Sequence, residues 1–273
     1  MIKRIPFLIL LTAIGLVSFK SAIKTNHRDD LKKFYDEYQV QGSFVLYDQK
    51  NDHYTYYNQE QTTTPFTPAS TFKICNSLIA LETGAVKDEN VVFKWDKKER
   101  PLPVWNADTD MKNAFKNSTV WFYQELAKLV GEEKMKFWLH KANYGNEDIN
   151  GGIDGFWLWG GLRITPIQQI DFLKRLQGDK LPFSSRSMDI VKSIMIVKNT
   201  KDYVIRAKTG NGKQGNLYVS WYVGYITTND NVYYFSNCIQ TQDKNPNLKK
   251  AGVAIAVNVL DNLKVIKKEK WDK

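Results

Sequence analysis

Hydrophobic and polar positions divide this chain into three stretches with different periods. Ser43-Phe44-Val45-Leu46-Tyr47 and Tyr54-Thr55-Tyr56-Tyr57 are rich in aromatic and β-branched residues and read as paired strands. A charged segment around Asp29 to Tyr38 ahead of them reads as helix. Next, Phe72, Ile74, Cys75, Leu78, Ile79 and Leu81 recur at helical spacing, with Thr67-Pro68-Ala69 as a start signal and Gly84 as a stop. From Val86 to about Val197 the pattern is mainly helical, broken by aromatic loops. Its clearest helix runs from Pro166 to Gln177: Thr165 supplies the N-cap, Gln168 completes a capping box and Gly178 ends the run. Strand patterns return at Tyr203–Lys208 and Tyr218–Thr227. The turn Asn229-Asp230-Asn231 joins the latter to Val232–Asn237, a hairpin signal, and a last helix runs from Asn247 toward Leu263. Strands at both ends and helices between them predict an α/β (α+β) fold. In it an antiparallel sheet (about 23–85 and 199–273) is flanked by helices and carries an inserted helical lobe (about 86–198).

The first residues stand apart from this pattern. Lys3 and Arg4 precede an almost unbroken apolar run from Ile5 to Phe19, ending at Lys20. That run is short for a bilayer span, which needs about 20 residues. It suits the apolar region of an export signal over residues 1–22, the remainder (23–273) being one catalytic domain. Phe19 and Lys20 make the cleavage site irregular, and a retained short anchor is the alternative. The expected location is periplasmic.

Composition narrows the function classes. The net charge is +10, from 39 basic and 29 acidic side chains. Most of the excess lies in runs of alternating sign such as Asp96-Lys97-Lys98-Glu99-Arg100, which mark solvated faces. With no nucleic-acid motif beside them, a nucleic-acid partner is not expected. His27, His53 and His140 lack metal-ligand spacing, so no metal is expected. Cys75 and Cys238 form no CxxC pair and read as two buried thiols, although sequence cannot show whether they meet. The 8 Trp, 14 Tyr and 14 Phe suit a rigid fold with lined grooves.

Candidate chemistry centres on Ser70-Thr71-Phe72-Lys73. Residues three apart on a helix share a face, with Cβ atoms about 5–6 Å apart. Ser70 then sits at the start of a helix with the Lys73 amine beside it. A serine hydroxyl is a poor nucleophile until a base takes its proton, and Lys73 is the only base this spacing supplies. An ordinary lysine, with a pKa of about 10.4, is protonated at neutral pH; burial can lower that value by several units.

A lone S-x-x-K is weak, since a capping serine followed by a surface lysine gives the same pattern. Three further segments strengthen it: Lys208-Thr209-Gly210 closing a strand, Ser118-Thr119-Val120 beginning a helix, and Tyr144-Gly145-Asn146 followed by Phe156-Trp157-Leu158. S-x-x-K with K-T-G marks serine β-lactamases and penicillin-binding proteins. With Ser-Thr-Val in the middle position, and with Tyr-Gly-Asn and Phe-Trp-Leu, the chain resembles the class D β-lactamases, the oxacillinase group, from about Phe34 to Lys264.

That resemblance implies a serine β-lactamase or penicillin-binding-protein-like fold and hydrolysis of a small-molecule β-lactam by a monomer or homodimer, with no stable membrane partner. Ser70 is implied as nucleophile. Lys73 is implied as general base for acylation and deacylation, carboxylated by CO2 or bicarbonate (N6-carboxylysine) and with no other cofactor. Trp157 is implied as donor to the carbamate, and Ser118 as proton relay to the leaving nitrogen. Val120, Trp157 and Leu158 are candidates to wall in Lys73. Lys208 and Thr209 are expected on the substrate carboxylate, and Gly210 is expected to let substrate approach the strand edge. The backbone N–H groups of Ser70 and Asn211 are expected on the oxyanion, with Trp105 and Leu158 lining the cleft. Tyr144-Gly145-Asn146 is given a structural role. Two departures stand out. Lys249 falls where the family usually carries a carboxylate-forking arginine, and a lysine lacks the planar fork. Asn211 follows Lys-Thr-Gly, where an aromatic is common. The alternative function is a penicillin sensor that acylates without efficient turnover. A cell-wall transpeptidase is a third reading, and a carbohydrate-binding module leaves the motifs unexplained.

Overall fold

The computed structural model of the chain describes residues 24–244 and 247–268. The export segment expected over 1–22 lies outside the described residues. Among those described, no helix is long and apolar enough to cross a membrane.

The strands are β1 (Lys24–His27), β2 (Gln41–Asp48), β3 (His53–Tyr57), β4 (Ile196–Asn199), β5 (Tyr203–Gln214), β6 (Leu217–Thr228) and β7 (Val232–Thr241). They form one sheet in the order β1-β3-β2-β7-β6-β5-β4. The helices are α1 (Lys32–Asp36), α2 (Lys73–Glu82), α3 (Met111–Asn117), α4 (Val120–Val130), α5 (Glu132–Ala142), α6 (Pro166–Gln177), α7 (Ser185–Ile194) and α8 (Leu248–Asn262).

Strand alternation explains why the sheet is covered on both sides. Along β2, Phe44 and Leu46 belong to the core shared with Tyr35 of α1 and Ile255 of α8. Val45 and Tyr47 belong instead to the larger core shared with α2, α4 and α6. A strand buried on both faces reads as a continuous apolar run, as Ser43–Tyr47 does. Under the smaller layer, the Tyr35 hydroxyl donates to Asn237 Oδ1 at 2.8 Å, and Asn237 Nδ2 donates to the Gly252 carbonyl at 2.7 Å. These bonds satisfy the buried polar atoms that join α1, β7 and α8.

The Pro166–Gln177 helix has both halves of its capping box, Gln168 N–H to Thr165 Oγ1 at 3.1 Å and Thr165 N–H to Gln168 Oε1 at 2.9 Å. Three local expectations are corrected. The sheet is not wholly antiparallel, because β1 lies parallel to β3. Lys24-Thr25-Asn26-His27 are all exposed, so no hydrophobic period marks them. The helical pattern expected to about Val197 gives way to β4, whose exposed Ile196 and Val197 sit on an edge strand paired with β5. Lys208-Thr209-Gly210 does not close its strand, since β5 continues to Gln214. Ser118-Thr119-Val120 does open a helix: Val120 is the first residue of α4, Thr119 is its N-cap position, and Ser118 joins it to α3 in the left-handed region at φ 54°.

Candidate active site

The Ser70 turn is fixed before any side-chain chemistry begins. Ala69–Phe72 form a 3₁₀ turn that runs directly into α2. Ala69 has φ 48°, a left-handed conformation that costs a residue with a Cβ about 1–2 kcal/mol. Several bonds hold it there. The Ala69 N–H donates to the Trp157 carbonyl at 3.0 Å, and Thr67 Oγ1 donates to the same oxygen at 3.1 Å. Trp221 Nε1 donates to the Thr67 carbonyl at 2.8 Å. Thr71 Oγ1 donates to the Pro68 carbonyl at 2.8 Å while accepting from Gln169 Nε2 at 2.9 Å.

Strand β5 supplies the remaining wall. A Cβ at Gly210 would lie 2.8 Å from the Pro68 carbonyl oxygen and 3.0 Å from Thr71 Cγ2. The missing side chain therefore admits the Ser70 turn itself, and Gly210 is absent from the cleft lining.

Lys73 lies wholly inside this frame. Its Nζ is 2.8 Å from Ser70 Oγ and 5.1 Å from the centroid of the Tyr123 ring. No carboxylate pairs with it among the described residues. Burial, with the positive charge of Lys249 second, pushes the amine down to about 7. A large fraction of Lys73 is thus neutral at physiological pH and able to accept a proton.

Beyond the Tyr123 ring near the amine, aromatic side chains pack on Phe72, the residue before Lys73. Trp157 is fully buried, 5.4 Å from Phe72 and 5.0 Å from Phe156 between ring centroids. Among the described residues its indole N–H has no hydrogen-bond partner, and the same holds for Thr119 Oγ1 and Asn76 Oδ1. Behind the turn, Tyr144 packs edge-on against Phe72, and Asn146 bonds to Gly161 and Arg163. The Tyr-Gly-Asn segment is therefore a structural joint.

Ser118 and Lys208 meet across the cleft. Lys208 Nζ donates to Ser118 Oγ and to the Thr209 carbonyl at 3.0 Å. Burial, then Lys73 and Lys249, drive the Lys208 amine well below the usual lysine range. Ser70, Trp105, Ser118, Val120, Leu158, Thr209, Asn211 and Lys249 all line one cleft of about 280 Å³. Trp105 also donates from Nε1 to the Asn117 carbonyl at 3.1 Å, which sets its ring angle. Lys249 stands exposed at the first turn of α8, and Asn211 is exposed at the mouth.

Sequence reasoning passed over Asn76, Thr119, Tyr123 and Gln169. Gln169 carried a readable signal, because it shares the apolar stripe of α6 with Phe172, Leu173 and Leu176. The Asn76–Tyr123 contact, Nδ2 to carbonyl at 3.3 Å, joins residues 47 apart and left no local pattern.

The sequence and fold are similar to those of known proteins. Residues 42–263 match the penicillin binding protein transpeptidase domain family. The β-lactamase OXA-48 of Klebsiella pneumoniae is 45% identical over 74% of this chain and 76% of its own length. The crystal structure of a class D β-lactamase from Sebaldella termitidis superposes with a TM-score of 0.86 at 38% identity, covering 90% of this chain and all of that one. The C-terminal domain of the Bacillus licheniformis BlaR penicillin-receptor is also similar, with a TM-score of 0.85, 30% identity, and coverage of 91% of this chain and 100% of that one. With this fold, a serine–lysine pair inside it and these relatives, the chain belongs to the class D β-lactamase family.

Proposed function

We propose that the protein hydrolyses β-lactams through an acyl-enzyme on Ser70. The observation that carries this reading is the wholly buried Lys73 amine, 2.8 Å from the Ser70 hydroxyl and without a counter-ion among the described residues. As Ser70 Oγ attacks the lactam carbonyl, its proton passes to the base held at Lys73. The backbone N–H groups of Ser70 and Asn211 face the oxyanion, where a donor is commonly worth about 3–4 kcal/mol. Ser118 hands a proton to the departing ring nitrogen, and its contact with Lys208 orients the hydroxyl for that transfer. Thr209 and Lys249, which line the cleft on one side, hold the substrate carboxylate.

The residues present fit a carboxylated lysine. A neutral amine is available at Lys73, and the Trp157 indole N–H is a buried donor with nothing to bond. CO2 on that amine would supply an anionic general base strong enough to activate water as well as Ser70. Without it, Lys73 remains a neutral base inside an aromatic wall. The apolar segment at residues 5–19 supports export to the periplasm, where the enzyme acts as a monomer or homodimer.

The likeness to the BlaR receptor domain favours a second reading, in which Ser70 is acylated but scarcely released. A chromogenic cephalosporin assay followed by intact-protein mass spectrometry separates the two. Sustained turnover is expected. A stoichiometric burst with a persistent adduct would establish the sensor instead, and no adduct at all would refute both.

A further inference from the structure

Thr209 and Lys249 stand between two cavities. One is the Ser70 cleft. The other, of about 700 Å³, opens between α3, the junction of α7 with β4, and β5. Thr209 and Lys249 line both, so the two spaces adjoin at the part of the cleft assigned to the substrate carboxylate.

The second cavity has a definite chemistry. Lys112 and Lys116 lie one helical turn apart on α3 and therefore on one face, and both line it. With Lys208 and Lys249, four amines surround the space, and no carboxylate lines it. Neither Lys112 nor Lys116 forms an ion pair among the described residues, so neither is committed to holding the fold together. Phe115, between them on α3, and Ile194 and Ile196 from the α7–β4 junction provide apolar lining. A space with cations along one side and hydrocarbon along another complements an acidic group carried on an apolar arm.

We propose that this cavity is a second anion subsite, which takes an acidic group on the ring substituent next to the substrate carboxylate. In a cephalosporin that substituent is at C3, one ring atom from the carbon bearing the carboxylate. A carboxylate on Thr209 and Lys249 puts the start of the C3 arm beside the opening, and Lys112 and Lys116 then meet its acidic end. The proposal rests on reading the Ser70 cleft as the β-lactam site. It predicts a preference for dianionic cephalosporins.

The test uses two cephalosporins with the same acyl chain and a carbon-linked C3 arm ending in either a carboxylate or its primary amide. Binding is measured by calorimetry on the Ser70→Ala protein at low salt, and turnover separately on the unaltered enzyme. Two exposed ion pairs correspond to about a five-fold tighter Kd for the acid. That ratio should fall to about one in Lys112→Gln/Lys116→Gln, and in about 0.5 M salt, where the Debye length is roughly 4 Å. The reversed pair Lys112→Glu/Lys116→Glu should favour the amide, an outcome that misfolding cannot imitate. Equal affinities, or none measurable for either compound, overturn the subsite, as does a preference that survives removal of both lysines. Preferential binding without any turnover by the unaltered enzyme leaves the subsite standing and sinks the hydrolase reading.

Discussion

Replacing Lys73 with methionine should abolish activity while making the folded protein more stable at neutral pH. Burial lowers the amine from 10.5 to about 7, and each pKa unit corresponds to about 1.4 kcal/mol, so keeping this group inside costs the fold about 5 kcal/mol. The sign follows from proton counts. Below about pH 7 the amine is protonated in both states, and the full cost of burying a charge is present. Between about 7 and 10.5 only the unfolded chain holds the proton, so stability rises with pH. Above that range the amine is neutral in both states and the cost is gone. Methionine has comparable length and bends into irregular space, but it gives up the Ser70 hydrogen bond, worth about 1 kcal/mol. A net gain of about 2–4 kcal/mol is expected near pH 7, shrinking toward zero by about pH 10. Urea unfolding followed by tryptophan fluorescence, in CO2-free buffer, measures it. Groups remote from Lys73 are common to both proteins and cancel in the difference, whereas Lys208, which the Lys73 charge lowers, adds to it in the same direction. A gain independent of pH, or a wild type that is the more stable at neutral pH, would refute the argument that desolvation sets this amine.

Three more perturbations address neighbouring parts of the site. Trp157→Phe removes the unpaired indole N–H while keeping an aromatic wall; acyl-enzyme should accumulate in intact-mass spectra and clear when bicarbonate is added. Normal deacylation without bicarbonate would count against the donor role. Lys249→Gln should raise KM about two-fold for loss of one exposed cation. It should also move the acid limb of kcat/KM to higher pH, because the Lys249 charge lowers the Lys73 amine; an unmoved limb would remove that coupling. Gly210→Ala places a Cβ 2.8 Å from the Pro68 carbonyl, which should cost about 1–3 kcal/mol in denaturant midpoint and slow acylation. Wild-type stability and rate in that variant would mean that the Ser70 turn is not seated against β5.

Much of the fold was legible because its signals are local. The Thr165–Gln168 capping box and Gly178 bracket a helix found at Pro166–Gln177, and the Asn229-Asp230-Asn231 turn joins two strands as read. The S-x-x-K spacing likewise placed Lys73 beside Ser70, a consequence of helical geometry alone. The misreadings share a different cause. Lys208-Thr209-Gly210 reads as the close of a strand, yet β5 runs on to Gln214 and the bare backbone at Gly210 is what the neighbouring turn packs against. Lys24–His27 carry no apolar side chain and become a strand only because β3 offers its edge. The unpaired Trp157 N–H and the Tyr123 ring under Lys73 come from segments far apart in sequence, and only tertiary packing brings them together.

The same packing explains how a lysine can serve as a base here without a carboxylate or histidine to draw off its proton. Lys73 and Lys208 are both fully or nearly fully buried, and each depresses the other or is depressed by Lys249, so charge repulsion and desolvation act in one direction. Adding an acidic partner would strengthen the fold locally and protonate the amine, defeating the chemistry. The turn must then be held by uncharged groups, and it is: the Trp157 carbonyl receives both Ala69 N–H and Thr67 Oγ1, while Gln169 fixes Thr71. Phe72, Phe156, Trp157 and Tyr144 fill the space behind, excluding water without contributing charge. The high aromatic content thus has a chemical consequence as well as a structural one. It allows a left-handed alanine and a dehydrated amine, each unfavourable alone, to be carried by neutral contacts whose number exceeds what either strain can break.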